Sequence, residues 1–313
     1  MQVCILGGGG FVGGHLAARL ASRGHRVKVL TRNAARRRAL LVLPTVSLVQ
    51  TDVYDPAALV RHLAGCEAVV NLVGILNERG HRGKGFERAH VELAATVVEA
   101  CRQAGVKRLL HMSALKADPQ GPSFYLRTKG RAAELVLAAR DLEATVFEPS
   151  VIFGPGDSFL NRFAGLLKLL PLAFPLACPE ARFAPVYVGD VTEAFLRCLE
   201  GRQGLGRRYP LCGPRVYTLM ELVRYTAQLA GLRRLIVGLP RWASWMQAAT
   251  LEWVPGKPFS LDNFRSLSVD SVGGEDGLGV LGIAATPLEA VAPGYIGQHS
   301  SRDKYDTFRR VHS

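Results

Sequence analysis

The chain has 313 residues, of which 48% are hydrophobic, so it can bury a substantial core in one large domain, or in one domain plus a smaller lobe. Its six cysteines are scattered without a C-x-x-C pair or clustered histidines, which argues against a zinc site or a disulfide framework. The net charge of +13 favours acidic ligands, anionic lipid headgroups or an acidic protein partner. No nucleic-acid recognition motif accompanies the charge, so nucleic-acid binding is not predicted.

The N-terminus begins directly with a strand pattern and shows neither a basic leader nor a cleavable apolar stretch. The longest apolar run, 166–178, is broken by prolines and is shorter than the roughly 20 residues that a membrane-spanning helix needs. We therefore expect a cytoplasmic protein that does not span the membrane. Peripheral contact at the inner face of the membrane is the alternative.

Short apolar strands alternate with helical patterns through the first 154 residues. Strands are predicted at 2–6, 26–31, 47–50, 68–72, 108–113 and 144–148. Helices are predicted at 11–22, 56–63, 86–104 and 124–139. This alternation predicts an α/β fold with a Rossmann-type, doubly wound parallel sheet.

Closely spaced prolines break the chain into short pieces beyond Gly154. The pattern predicts a smaller C-terminal lobe formed by 155–184 and 201–313. The segment 185–200, with a strand at 185–188 and a helix at 191–199, is expected to rejoin the Rossmann domain of 1–154.

A glycine-rich turn follows the first predicted strand and opens the first helix. Gly7, Gly10 and Gly13 have the spacing G-x-x-G-x-x-G, and Phe11 and Val12 complete the turn. Glycines here let the backbone approach a pyrophosphate, whose charge then meets the N-terminus of the helix. The sequence therefore predicts an NAD(P) site, which we favour over an ordinary turn because strand, turn and helix agree.

The end of the second strand selects between the two dinucleotides. NAD-binding folds usually carry a carboxylate there for the ribose 2′-hydroxyl, but this chain has no acidic residue before Asp52. Arg32 takes that place, and it can pair with a 2′-phosphate with support from Arg36. The alternative is a solvated basic helix start. We predict NADP(H) in preference to NAD(H).

Two further strand ends carry candidate cofactor contacts. Asp52 and Val53 end the third strand, where a side chain can hydrogen-bond the adenine amino group. Asn71, Val73 and Gly74 end the fourth strand, where small residues let the ribose pass. A purely structural role stays open for each of them.

Tyr125 and Lys129 lie four residues apart on a predicted helix, so their side chains share one face. Together with the glycine turn, Asp52 and 71–74, this pair resembles the short-chain dehydrogenase/reductase superfamily of the extended or atypical kind. The segments 125–129, 148–154, 157–163, 185–191, 262–267 and 285–290 narrow the resemblance to one group within it. That group is the nucleotide-binding accessory subunit of respiratory complex I and its bacterial relatives.

The resemblance implies a tightly bound NADPH and a structural or sensory role, with a respiratory or other membrane-associated complex as partner. It adds Pro149 and Val151 to the expected cofactor contacts. In the superfamily, the tyrosine corresponding to Tyr125 exchanges a proton with the substrate oxygen. The lysine corresponding to Lys129 lowers the phenol pKa and binds the nicotinamide ribose.

The third catalytic group of the superfamily, a hydroxyl after the fifth strand, is in question. Matching the family pattern places Ala114 at that position, with Ser113 one residue early, so Ser113 is either catalytic or a strand-end hydrogen-bonding residue. The first hypothesis is therefore an NADPH-binding protein whose nucleotide stabilises or regulates a complex. The second is an active NADP-dependent reductase, epimerase or dehydratase that uses Tyr125 and Lys129.

All three tryptophans, Trp242, Trp245 and Trp253, fall within 239–254 near several cations. Tryptophan with arginine suits a membrane interface or a partner groove, but we favour a helix packed on its own lobe. His15 and His90 are interpreted as packed or surface residues rather than acid–base groups. Asp190 is expected to cap the helix that follows it.

Overall fold

The computed structural model describes residues 1–170, 172–201 and 206–296. The strands of the first half are β1 Gln2–Leu6, β2 Arg26–Thr31, β3 Val46–Gln50, β4 Ala68–Asn71, β5 Arg108–Met112 and β6 Glu143–Pro149. The later strands are β7 Ile152–Phe153, β8 Ala173–Leu176, β9 Arg182–Phe183, β10 Val186–Tyr187, β11 Arg207–Leu211, β12 Tyr217–Thr218 and β13 Leu235–Gly238.

The helices of the first half are α1 Phe11–Ser22, α2 Pro56–Leu63, α3 Lys84–Phe86, α4 Leu93–Ala104 and α5 Phe124–Ala138. Those of the second half are α6 Leu160–Leu169, α7 Val188–Glu200, α8 Leu219–Leu229, α9 Arg241–Leu251, α10 Leu261–Ser266, α11 Gly277–Val280 and α12 Leu288–Val291. Two 3-10 helices cover Ala35–Val42 and Ala292–Gly294, and a π-helix covers Glu87–Glu92.

The central sheet has seven strands in the order β11-β6-β5-β4-β1-β2-β3, and every neighbouring pair is parallel. Strand β4 is buried along its whole length because helices cover both faces of the sheet. The residues of α1 and α7 fill the core on one face, and those of α2, α4 and α5 fill the core on the other. The predicted Rossmann-type fold is confirmed, and the six predicted strands are off by a single residue at most at either end.

The chain reverses its strand order beside β1, which lies between β2 and β4. In an open parallel sheet this reversal leaves a crevice at the carboxyl ends of the strands, where ligands bind. The glycine turn, Asn71 and the end of β5 all lie at this edge. The topology therefore gathers the predicted cofactor residues at one place.

The predicted domain division differs from the structure in three places. One is α11, which was assigned to the lobe but packs in the core of the main sheet through Leu278 and the adjoining Leu281. The other two concern strands. Strand β11 pairs with β6 and so extends the main sheet, although the sequence analysis assigned it to the C-terminal lobe. The predicted strand at 185–188 does not join that sheet, because β10 pairs with β7 in a separate two-stranded sheet. Helix α7 does rejoin the first domain, where Phe195 stacks on Phe147 at 4.0 Å between ring centroids. The part of the predicted lobe beyond residue 296 lies outside the described residues.

The predicted helix at 86–104 is interrupted. It begins in α3, widens into the π-helix and continues as α4. A π-helix inserts an extra residue into a turn and often lies at a functional site. Here it carries His90 into the protein interior, where only 2% of the residue is exposed.

The C-terminal lobe has its own apolar core, formed mainly by α6, α8 and the strands β8 and β9. Asp190 connects this lobe to the first domain. It lies inside α7 rather than before it, and its carboxylate accepts hydrogen bonds from the Thr286 backbone N–H and hydroxyl. The expected cap of the following helix is therefore wrong, because α7 begins earlier than predicted.

The tryptophans of the lobe are exposed, while the favoured prediction of a helix packed on its own lobe is confirmed for α9. Helix α9 does pack on its own lobe, but through Ser244 and Ala248. Trp242, Trp245 and Trp253 are 68%, 52% and 79% exposed. Within the described part of the chain, no helix has the length and hydropathy needed to cross a bilayer.

Candidate cofactor site

The glycine turn between β1 and α1 forms a bare backbone cradle. Gly7 has a φ of +77°, and a Cβ at Gly13 would lie 2.4 Å from the Cα of Gly8. Gly10 is the N-cap of α1, no side chain caps the helix, and its first turn carries no acidic residue. The first N–H groups of α1 and its positive end are therefore free to receive an anion.

Two residues after Gly10 shape the same turn. Val12 is buried in the core, whereas Phe11 remains partly exposed and meets the His15 ring edge-on at 5.4 Å between centroids. His15 Nε2 donates a hydrogen bond to the carbonyl of Pro155, 3.0 Å away, so the start of α1 is joined to the loop after β7. His15 is thus a packing residue, as predicted.

Arginines surround the end of β2. Arg32 directly follows this strand and is exposed. Asn33 Oδ1 accepts a hydrogen bond from the Arg36 N–H, which starts the 3-10 helix beside it. The side chain of Arg37 crosses the glycine turn, because a Cβ at Gly9 would lie 3.0 Å from Arg37 Cγ. Arg37, rather than Arg36, is therefore the second arginine that reaches the cradle.

The adjacent strand ends hold the other predicted contacts. Asp52 is exposed and its carboxylate accepts a hydrogen bond from the Tyr54 N–H, while Val53 is buried beneath it. Arg32 also lies close enough to Tyr54 to lower the pKa of its phenol, although burial raises that pKa overall. Arg32 and Asp52 therefore both lie near Tyr54 at one end of the crevice.

Asn71 anchors the turn at the end of β4. Its Oδ1 accepts a hydrogen bond from Val73 N–H at 3.2 Å, and its amide nitrogen donates to His111 Nδ1 at 3.3 Å. Gly74, which follows Val73, borders Lys129, since a Cβ at Gly74 would lie 3.1 Å from Lys129 Nζ. Asn71 thus shapes the turn after β4, and Gly74 keeps open the part of the crevice between this turn and Lys129.

Tyr125 and Lys129 emerge from the same face of α5 toward this passage. Lys129 is 5% exposed and its Nζ donates a hydrogen bond to the carbonyl of Met112 at 2.8 Å. Burial lowers the pKa of Lys129 to about 8 and raises the pKa of Tyr125 to about 12. In the described part of the chain, the Tyr125 hydroxyl has no hydrogen-bond partner. The phenol is therefore protonated at neutral pH and available to a ligand.

His90 packs against Tyr125 with an edge-on ring contact of 5.7 Å. Its Nε2 accepts a hydrogen bond from Ile75 N–H at 3.2 Å, so the ring proton lies on Nδ1, which donates to Thr128 Oγ1 at 2.8 Å. Burial, helped by the charge of Lys129, lowers its pKa to about 2. His90 is therefore a neutral connector between the β4 turn and α5, in agreement with the predicted packing role.

His111 leaves an unsatisfied polar atom beside Lys129. It is 1% exposed, and because Nδ1 accepts from Asn71, its proton lies on Nε2. That nitrogen has no hydrogen-bond partner within the described residues. Burial lowers the pKa of His111 to about 3, so the ring is neutral.

Ser113 is turned away from the crevice. Its hydroxyl donates a hydrogen bond to the carbonyl of Lys129 at 3.1 Å and therefore joins β5 to α5. Ala114 follows it and is buried without a polar group. Of the two roles predicted for Ser113, this geometry favours the strand-end one, and its catalytic role stays a prediction.

Asp262 is a site residue that sequence reasoning missed. It lies in the first turn of α10, in the C-terminal lobe, and its carboxylate accepts hydrogen bonds from Phe124 N–H at 2.6 Å and Tyr125 N–H at 3.1 Å. Nearby, Ser266 donates a hydrogen bond to the Ser123 hydroxyl. Asp262 thus caps the helix that carries Tyr125. No local pattern indicates this contact, because the partners are more than 130 residues apart.

Pro149 and Val151 close the crevice at the end of β6. The Pro149 carbonyl accepts a hydrogen bond from Leu115 N–H, and the Val151 carbonyl accepts one from Val186 N–H. These bonds hold the chain as it leaves the sheet for the lobe. Both residues lie at the carboxyl edge, where a nicotinamide ring is expected to pass.

The residues present fit a dinucleotide. The glycine cradle offers free N–H groups to a pyrophosphate, arginines flank the adenosine end, and Lys129 with Tyr125 lies at the other end. Within the described residues, no group of three or more histidines, cysteines or carboxylates is placed to bind a metal. The bare helix end and the arginines suit an anionic ligand.

Comparisons with known proteins agree with this geometry. Residues 7–155 match the family model described as NAD(P)H-binding. The chain is 27% identical to NADH dehydrogenase (ubiquinone) 1 alpha subcomplex subunit 9 of Mus musculus, over 91% of this chain and 77% of that protein. It is 31% identical to the ceramide reductase of Caulobacter vibrioides, over 76% of this chain and 73% of that protein.

The fold also matches solved structures. DesIV, a dTDP-glucose 4,6-dehydratase of Streptomyces venezuelae solved with NAD bound, superposes with a TM-score of 0.75 at 19% identity. The match covers 97% of this chain and 98% of DesIV. The resemblance noted in the sequence is confirmed, and the chain is an NAD(P)-binding member of the short-chain dehydrogenase/reductase superfamily, in the family of the complex I accessory subunit and its reductase relatives.

Proposed function

We propose that this protein binds NADPH in preference to NADH and holds it as a structural or redox-sensing ligand. The observation that carries the proposal is the hydrogen bond from the Ser113 hydroxyl to the Lys129 carbonyl, with Ala114 beside it. The crevice therefore offers a nucleotide its usual contacts, but it lacks the hydroxyl that would fix a substrate oxygen.

The preference for NADPH is supported by charge at the adenosine end. Arg32 directly follows β2, where NAD-binding folds carry a carboxylate, and Arg37 lies over the glycine turn. Both guanidinium groups can pair with a 2′-phosphate, whereas the 2′-hydroxyl of NADH offers them no charge.

The partner that we propose is a membrane-associated protein complex, with the protein at the cytoplasmic face of the membrane. This proposal is supported by the mouse relative, which is named as a subunit of NADH dehydrogenase and aligns over 91% of this chain. In such a role, the bound nucleotide would stabilise the contact between the first domain and the lobe, since Asp262 of the lobe bonds the start of α5, which carries Tyr125.

The first experiment identifies the nucleotide that co-purifies with the protein and measures its exchange. We expect NADPH that is released slowly and is not oxidised in the presence of carbonyl compounds, quinones or nucleotide sugars. Arg32→Asp should lower the affinity for NADPH by about 10-fold to 100-fold and leave the affinity for NADH nearly unchanged. Arg23→Asp, at the far end of α1, is the matched control. Equal losses for both nucleotides would remove Arg32 as the group that recognises the phosphate.

The second candidate function is an active NADPH-dependent reductase. It is favoured by the Tyr125 hydroxyl, which keeps its proton at neutral pH and has no partner in the described part of the chain. NADPH would give a hydride to a carbonyl carbon, and Tyr125 would give its proton to the oxygen. Lys129 would hold the nicotinamide ribose. The name of the Caulobacter relative, ceramide reductase, supports a carbonyl substrate of this kind.

Turnover separates the two candidates. Oxidation of NADPH with any substrate of the panel, lost in Tyr125→Phe but not in Tyr54→Phe, would establish the reductase and contradict a purely structural nucleotide. Nucleotide affinity measured on the same variants shows whether Tyr125→Phe still binds NADPH. Preserved binding with lost turnover is the result expected of a proton donor.

A further inference from the structure

The C-terminal lobe turns the large apolar side chains of α9 toward solvent. Trp242, Trp245 and Met246 are 68%, 52% and 52% exposed, and their spacing of three and four residues puts them on one face of the helix. Trp253 follows the helix and is 79% exposed. A surface helix of a globular protein ordinarily buries such side chains.

The orientation of α9 is fixed by its small residues. Ser244 is fully buried, and its hydroxyl accepts a hydrogen bond from Cys178 N–H at 3.1 Å and donates one to the Leu239 carbonyl at 3.2 Å. Ala248 is fully buried one turn later. Rotating the helix to hide its tryptophans would break both hydrogen bonds of Ser244. The exposed apolar face is therefore part of the folded arrangement.

The neighbouring strands extend the apolar face. Strands β8 and β13 form a parallel ribbon in which Leu235 and Val237 are 67% and 43% exposed, while Ile236 between them is buried. Helix α9 is joined to this ribbon by the hydrogen bond from Gln247 Nε2 to the carbonyl of Pro175. The exposed leucines Leu169 and Leu172 lie where α6 leads into the ribbon. We call α9, Trp253 and this ribbon the tryptophan surface.

The charged residues within the segments that form the tryptophan surface are almost all positive. The segments 160–176 and 231–258 contain a single acidic residue, Glu252. Its carboxylate is already used, by His81 Nδ1 at 2.9 Å, Lys257 Nζ at 3.8 Å and Leu261 N–H at 3.3 Å. The cations of these segments are Arg162, Lys168, Arg233, Arg234, Arg241 and Lys257. Within the described residues, Lys168, Arg233 and Arg241 have no carboxylate partner.

This combination matches the chemistry of a bilayer surface. Tryptophan rings settle at the boundary between lipid headgroups and acyl chains, and exposed leucines enter the acyl region. Unpaired arginine and lysine side chains attract anionic headgroups. We propose that the tryptophan surface docks this protein on an anionic lipid bilayer.

The docking surface is connected to the cofactor crevice. The His81 ring lies 4.9 Å from the Trp253 ring, and Lys257 Nζ donates a hydrogen bond to the Gly80 carbonyl at 2.6 Å. His81 and Gly80 belong to the loop that begins at Gly74, beside Lys129. The protein therefore meets the bilayer with the loop that borders the Tyr125 end of the crevice.

The test measures binding of the full chain to vesicles. We expect co-sedimentation with phosphatidylcholine vesicles that contain about 30 mol% phosphatidylglycerol, and weak binding to phosphatidylcholine alone. The three tryptophans of the chain all lie in this surface, so a blue shift of the intrinsic fluorescence on binding reports insertion there. The double variant Trp242→Ser/Trp245→Ser should lose at least about tenfold in affinity.

The charge is tested separately with Arg233→Glu/Arg241→Glu. Its affinity for anionic vesicles should be at least about tenfold lower than that of the unmodified protein, and its affinity for neutral vesicles should be unchanged. Val280→Ser and Arg207→Glu, which change an exposed apolar and an exposed basic residue outside the surface, should behave as the unmodified protein.

Two results would overturn the proposal. One is vesicle binding that the tryptophan and arginine variants leave unchanged. The other is that the protein does not bind vesicles and that size exclusion shows a changed oligomeric state in the tryptophan variant. That result would assign the surface to a second copy of the chain. NADPH affinity is measured on the same preparations and is expected to stay constant. The lipid proposal and the proposed function can thus fail independently.

Discussion

The two ends of the cofactor crevice are built in different ways. The phosphate end is formed by consecutive residues of one turn, in which Gly7, Gly10 and Gly13 leave backbone N–H groups bare. The Tyr125 end is assembled from β4, the π-helix, β5, α5 and α10, whose residues are far apart in the chain. A local cradle tolerates change elsewhere, whereas an assembled end depends on every element that it joins.

The largest effect is expected at the cradle. Gly13→Ala places a Cβ 2.4 Å from Gly8 Cα, so the turn must open, and we expect a loss of about 3 kcal/mol in stability together with loss of nucleotide binding. Gly14→Ala is the matched control, since its Cβ would meet only Leu40 Cδ2 at 4.0 Å. That control should gain up to about 1 kcal/mol of stability from helix propensity. Nucleotide titration measures binding and chemical denaturation measures stability. Equal stability and equal nucleotide affinity in the two variants would contradict the cradle geometry.

The next effect concerns the buried Lys129 and depends on pH. Its pKa falls from 10.5 to about 8 on folding, so between these values the unfolded chain holds a proton that the folded chain has released. Stability therefore rises with pH through this window, by at most about 3 kcal/mol from this group. Below pH 8 both states are protonated and the contribution is constant.

Lys129→Met removes this titration. The difference between the pH profiles of the unmodified protein and the variant therefore reports Lys129 alone. Denaturation from pH 7 to pH 9.5 should show the unmodified protein gaining stability relative to the variant. Parallel pH profiles would mean that Lys129 is not desolvated as the structure indicates. The comparison is made on protein without NADPH, because contacts of the nucleotide with Lys129 would shift the pKa of this lysine.

A smaller effect is expected where the lobe caps α5. Asp262→Ala leaves the N–H groups of Phe124 and Tyr125 without their acceptor, which should cost about 2 kcal/mol. It should also weaken NADPH binding, because Tyr125 is no longer held in place, and Asp262→Asn should restore part of both. Asp276→Ala removes the comparable cap of α11, outside the crevice, and should lower stability alone. Unchanged nucleotide affinity in Asp262→Ala would show that the cap does not position Tyr125.

The smallest effect separates the two roles of Ser113. Ser113→Ala loses one hydrogen bond to the Lys129 carbonyl and should cost about 1 kcal/mol of stability, with nucleotide affinity and any turnover preserved. Thr226→Ala, which loses a similar buried hydrogen bond to the Leu222 carbonyl, is the matched control. A fall in turnover beyond about tenfold at similar stability would return Ser113 to the catalytic residues.

The exposed tryptophans show how sequence and structure divide the information within the lobe. The sequence places all three tryptophans within 239–254, and the structure puts Trp242 and Trp245 on one face of α9. The sequence favours a helix packed on its own lobe, in which apolar side chains ordinarily point inward. The hydrogen bonds of Ser244 to Cys178 and Leu239 turn the tryptophan face of α9 toward solvent. Helical periodicity gives no information about these two partners.

The sequence by itself determined the Rossmann fold, the glycine cradle, the missing carboxylate at the end of β2 and the shared face of Tyr125 and Lys129. Each of these depends on neighbours in the chain, through strand and helix periodicity or the steric freedom of glycine. The tertiary structure alone decided that β11 joins the main sheet, that Arg37 crosses the turn, that Ser113 faces α5 and that Asp262 caps α5. Those contacts join distant segments, and their partners are selected by packing in three dimensions rather than by local pattern.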